Sequence, residues 1–117
     1  MPVRLFSSSV MRWPNAKTVH EAVHLWAKRM TQTHSGVLRV GYFGSYARGD
    51  WGVGSDVDII VVVAQADLPF ERRPVQWNTL PLPVAADLLV YTTDEWERLK
   101  GRFKETVQRE AVWVYEK

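Results

Sequence analysis

The chain has 117 residues, 46% of them hydrophobic and 24% charged, a balance that fits one globular domain with its own core rather than a disordered chain. It has no cysteine, which excludes disulfides and thiolate nucleophiles or metal ligands, and no apolar run near the ~20 residues of a membrane helix. Net charge is only +2, yet arginine outnumbers lysine ten to five, which suits a phosphate ligand without by itself indicating nucleic acid. The lack of cysteine and the short apolar block of "MPVRLFSSSVMRW" favour a cytoplasmic protein over a secreted one.

Residues 1–14 read as an N-terminal arm or an added strand, followed by a single domain over 15–117. Pro14-Asn15 offers a helix start, with Asn15 able to cap free N–H groups. From Ala16 to about His34, Val19, Ala22, Val23, Trp26, Ala27 and Met30 recur at three- and four-residue steps, the pattern of an amphipathic helix. Ser35-Gly36 breaks it, and His34 is placed as a partner of the helix C-terminal dipole. "VLRVGYF" (37–43) predicts a strand ended by Gly44. A short helical turn over 45–50 and a glycine-bearing loop over 51–55 follow.

"DVDIIVVVA" (56–64) predicts a buried strand. Four prolines make 65–83 an irregular connection, with a helical turn after Pro69. "VAADLLVYT" (84–92) predicts a third strand, and Thr92 with Glu95 makes a capping box for a helix from Asp94 to about Arg109. "AVWVYE" fits either a helix extension or a short strand. The order predicts a small α+β domain, a mixed few-stranded sheet packed against two or three helices.

Asp56 and Asp58 stand two apart on the predicted strand, so they point the same way. Parallel carboxylates repel unless a cation lies between them, and hard oxygen ligands suit Mg²⁺ or Mn²⁺. Asp87, flanked by Ala85, Ala86, Leu88 and Leu89, is the candidate third carboxylate. The Gly44-Ser45 turn leaving a strand offers free N–H groups and a hydroxyl, a seat for an anion. One edge of such a site holds phosphate and the other metal, as a metal-bound nucleoside triphosphate requires. Each feature taken alone is more often structural, since aspartates cap turns and Gly-Ser is an ordinary loop.

"GSYARGDWGVGSDVDI" resembles the signature of the DNA polymerase beta-like nucleotidyltransferases, and is nearest to the small stand-alone minimal nucleotidyltransferases (MNT). Gly44, Ser45, Ala47, Arg48, Gly49, Ser55, Asp56 and Asp58 carry the match, and "VAADLLVYT" resembles the family's third-carboxylate strand. The resemblance implies a two-metal transferase in which Asp56, Asp58 and Asp87 hold two Mg²⁺ ions, or Mn²⁺, and Asp87 helps deprotonate an acceptor hydroxyl. It further implies that Gly44 and Ser45 hold the triphosphate of ATP or another NTP. Arg48 either neutralises phosphate or braces the turn through a carboxylate, with the brace favoured. By the same resemblance the partner is a small helical HEPN protein, with the chain as the antitoxin of a toxin–antitoxin pair that transfers AMP. The alternative is a non-catalytic antitoxin that neutralises its partner by contact; a homo-oligomer stays open. Nucleic acid and membrane are not expected partners.

"HEAVH" (20–24) is a rival motif, satisfying the H-E-x-x-H pattern of zinc proteases on a helix. Only three letters are fixed and a third ligand is needed; positions 27 and 30 hold Ala27 and Met30 where the extended motif wants glycine and histidine. A solvated or partner-facing helix edge is the better reading. Asp50 is expected to cap or face solvent and Ser55 to order the turn before Asp56. "ERR" (71–73) and Arg98, Arg102 and Arg109 read as solvated faces. Six tryptophans suggest core packing or, where exposed, a partner surface together with the C-terminal "VWVYE".

Overall fold

In the computed structural model, which describes residues 13–117, Asn15 Oδ1 accepts the Thr18 N–H at 2.9 Å and opens helix α1 (Ala16–Thr33). Residues 1–12, most of the expected arm, lie outside the described residues. The apolar face of α1 buries Val19, Val23, Trp26, Ala27 and Met30, as the spacing predicts. Strand β1 (Val37–Phe43) follows, then the single-turn helix α2 (Ser45–Arg48) and strand β2 (Val57–Val63). A 3-10 segment (Phe70–Gln76) interrupts the proline-bearing connection to β3 (Ala86–Thr92).

The helix predicted over 94–109 is two helices, α3 (Thr93–Arg98) and α4 (Arg102–Glu110). The break falls at Leu99–Gly101, where Leu99 is extended and Gly101 has φ +109°, a left-handed region that suits glycine. "AVWVYE" resolves as a strand, β4 (Val112–Glu116), because β1 offers it a ladder.

The four-stranded sheet has the order β3-β2-β1-β4. β1 runs antiparallel to both β2 and β4, and β2 pairs with β3 in parallel. A parallel neighbour demands a long crossover, which explains the 64–85 connection. Val57, Ile59, Val61 and Val63 pack on the α1 face of the sheet, while Ile60 and Val62 pack with Trp96 and Val107 on the other. By alternation Asp58 faces the α3–α4 side, at the open end of that face.

None of the six tryptophans is exposed: Trp26, Trp77 and Trp96 are buried, and Trp13, Trp51 and Trp113 are half-buried. They build core rather than an exposed tryptophan surface. Trp26 Nε1 donates to Asn78 O at 2.7 Å, and the His34 ring stacks on Trp77 with centroids 4.0 Å apart. His34 thus pins the connection, its Nε2 lying 2.7 Å from Gln76 O, rather than serving only as a dipole partner. Arg73 corrects the solvated reading of "ERR", since it is buried. It donates to Leu68 O and Val90 O and forks onto the Glu95 carboxylate, with Nη1–Oε1 2.6 Å and Nη2–Oε2 3.0 Å. Glu71 and Arg72 are exposed as expected.

Candidate active site

The Gly-Ser turn follows directly from β1, whose last residue, Phe43, is the register partner of Asp58. Gly44 has φ +80° and ψ −153°, a conformation essentially reserved for glycine. A Cβ there would run into Asp58 Oδ2, so the missing side chain is what lets the turn lie against the carboxylate. The turn is closed by Ala47 N–H and Arg48 N–H donating to Gly44 O, at 3.0 and 2.9 Å, and by Gly49 N–H donating to Ser45 O at 2.9 Å. Tyr46 anchors it from below, buried, stacked on Trp51 and donating to Pro14 O at 2.9 Å.

Asp58 and Asp87 are register partners on the adjacent parallel strands β2 and β3. Asp58 is half-buried and Asp87 exposed. Burial pushes the Asp58 carboxyl above its ordinary value. Repulsion from Asp87 and then Asp56 pushes it further, against the opposing pull of Arg48. Asp56 lies one residue before the first residue of β2, exposed, near enough to repel Asp58 but outside the close pair. Among the described residues no three histidine or acidic side chains close into a metal cage by themselves. The donor set nevertheless fits a hard divalent cation: a half-buried carboxylate, kept from easy ionisation by two like charges, gains what a cation supplies.

Ser55 orders the approach to Asp56, its Oγ accepting the Gly52 N–H at 2.8 Å. Arg48 pairs with Asp50 (3.0 Å) and with Glu110 (3.3 Å), the bracing arrangement; Asp50 is thereby a partner rather than a free cap. Glu110, which also accepts the Gly44 N–H at 3.3 Å, carried no local signal in the sequence because it lies 66 residues away from its partner.

The "HEAVH" residues do not converge. His20 Nδ1 lies 2.9 Å from Tyr42 Oη, the His20 and His24 rings stack with centroids 6.4 Å apart, and Glu21 and His24 are exposed.

The sequence model of the nucleotidyltransferase domain family matches residues 26–114. The chain belongs to that family. Its activity class is therefore nucleotidyl transfer, and the matched span runs from mid-α1 through most of β4. No curated protein matches the chain. Among solved structures, a candidate nucleotidyltransferase from Sulfolobus solfataricus is 20% identical, with a TM-score of 0.63 over 86% of this chain and 83% of that one. A toxin–antitoxin structure with AMP-PNP is 15% identical, with a TM-score of 0.56 over 80% of this chain and 73% of its own. A mutant of the toxin–antitoxin MntA–HpeT is 13% identical, with a TM-score of 0.51 over 78% and 70%. At these identities the likeness is one of fold, and it shows that the sheet with its helices is the nucleotidyltransferase fold. No helix among the described residues of this nucleotidyltransferase is long and apolar enough to cross a membrane.

Proposed function

We propose that this nucleotidyltransferase moves AMP from ATP to a hydroxyl group on a helical HEPN-type partner, as the antitoxin of a toxin–antitoxin pair. One observation carries the reading: of two carboxylates paired across parallel strands, Asp58 lies against a glycine turn that only a missing side chain allows to come so close. The toxin–antitoxin neighbours support a toxin as the partner, and one of them was solved with AMP-PNP. The two aspartates changed to glutamate in the MntA–HpeT mutant stand two positions apart, the spacing of Asp56 and Asp58.

In this reading Asp56, Asp58 and Asp87 hold Mg²⁺ or Mn²⁺, which when bound neutralises charge on the attacking and leaving oxygens. Gly44 N–H and the Ser45 N–H and hydroxyl hold the β- and γ-phosphates. Arg48 neutralises phosphate charge from the flank while its contact with Asp50 keeps the turn in shape. Asp87, exposed at the mouth, faces an incoming hydroxyl and draws off its proton. The acceptor oxygen then bonds to the α-phosphorus, the α–β bridging bond breaks, and pyrophosphate departs.

The test incubates the protein with Mg–ATP and the helical protein encoded beside it, then weighs that partner by mass spectrometry. A mass gain of one AMP, lost with Asp58→Ala, is expected. An unmodified partner whose toxicity the parent and Asp58→Ala relieve equally would replace this reading with neutralisation by contact.

A further inference from the structure

Glu110 ends α4, its side chain only 15% exposed, and its Oε1 takes two donors at once: the Gly44 N–H and Arg48 Nη1, each at 3.3 Å. Both donors belong to the turn to which the proposed function gives the triphosphate, and the inference rests on that reading. Gly44 is buried, so without a partner its N–H would be left unpaired at a cost. A carboxylate oxygen and a phosphate oxygen meet the same need, an anionic acceptor facing an N–H and a guanidinium.

We infer that Glu110 is a built-in stand-in for phosphate, closing the turn until nucleotide displaces it. Both contacts lie just past the usual N–H···O range, so they exchange readily for shorter bonds to a ligand. The two anions cannot share the place. A triphosphate oxygen on Gly44 N–H would put several negative charges against the Glu110 carboxylate, and the like charges part. Glu110 is followed directly by Ala111 and then β4, so its side chain links the nucleotide turn to the last strand of the sheet.

A bracing role and a displaceable one move binding in opposite directions. Dissociation constants for Mg–ATP and for Mg–tripolyphosphate, measured by calorimetry on the parent, Glu110→Gln and Glu110→Ala, separate them, with urea unfolding of each protein alongside. Loss of the competing carboxylate is expected to tighten both ligands by about tenfold in Glu110→Ala and by less in Glu110→Gln. The nucleotide-free fold is expected to weaken in both. Binding that stays equal or weakens in the variants, while the parent binds, overturns the stand-in and leaves the proposed function in place. Failure of parent and variants alike to bind either ligand overturns the nucleotide reading itself.

Discussion

Replacing Gly44 by alanine tests the site at its narrowest point. The glycine sits at φ +80°, ψ −153°, where a side chain costs about 1–3 kcal/mol in backbone conformation alone. The new methyl also overlaps Asp58 Oδ2, and a half-buried carboxylate relieves this by swinging off its rotamer for a further ~0.5–1.5 kcal/mol. Urea unfolding of Gly44→Ala should therefore show a loss of about 2–4 kcal/mol. Nucleotidyl transfer should fall by more than ~100-fold, since small misplacements of reacting groups carry that penalty. The same change made in an Asp58→Ala background should cost only the backbone share. A loss below ~0.5 kcal/mol, or one wholly abolished in the double variant, would refute the assignment of Gly44 to a glycine-only conformation.

Asp58→Asn should abolish transfer yet stabilise the metal-free protein, because partial burial and then two nearby carboxylates oppose the Asp58 charge. Its raised value in the folded state sets the sign: the parent should regain stability relative to Asp58→Asn as pH falls through the carboxylate range, and lose it again on the way up. Thermal unfolding with and without Mg²⁺ reads the other half, the Mg²⁺-dependent rise in Tm being lost in the variant. Glu95 runs the opposite way. Its fork with Arg73 lowers the carboxyl from 4.5 to about 2, so its stabilisation is complete above pH ~4.5 and fades as pH drops toward 2. With the Glu95 side chain 41% exposed, solvent screening holds this to about 1–2 kcal/mol; acid titration of Glu95→Gln should lack that component.

The helices and strands that present an unbroken local pattern were readable from sequence. α1 shows its face in the spacing of Val19, Val23, Trp26 and Met30, and β2 in a run too apolar for a surface. That the turn, Asp58 and Asp87 come together was readable, because the strand-glycine-turn pattern and the acidic residues stand out from their apolar neighbours. What failed depends on distance. Whether residues 111–116 continue a helix or form a strand is decided by the ladder that β1 offers, with Val40 opposite Tyr115 and Gly41 opposite Trp113. Arg73 looks like any solvated arginine until the chain brings it to Glu95, 22 residues on. The break at Leu99–Gly101 was hidden by helical propensity on both sides, although Gly101 marks it. Asp56, predicted to share the strand with Asp58, stops short of it because the ladder starts at Val57, whose N–H donates to Ala85 O.

β2 reads Val-Asp-Ile-Ile-Val-Val-Val, apolar toward both sides of the sheet, so hydrophobicity alone hardly distinguishes one alignment of this strand from the next. Asp58 is its one polar mark. Sliding β2 by a single position would carry that carboxylate beneath the long helix, among side chains such as Val57 and Ile59 that are 1% and 0% exposed, with no counter-ion to receive it. The carboxylate to which the proposed function gives a metal is thus also the notch that indexes the middle of the sheet, so the proposed chemistry and correct assembly would rest on the same side chain.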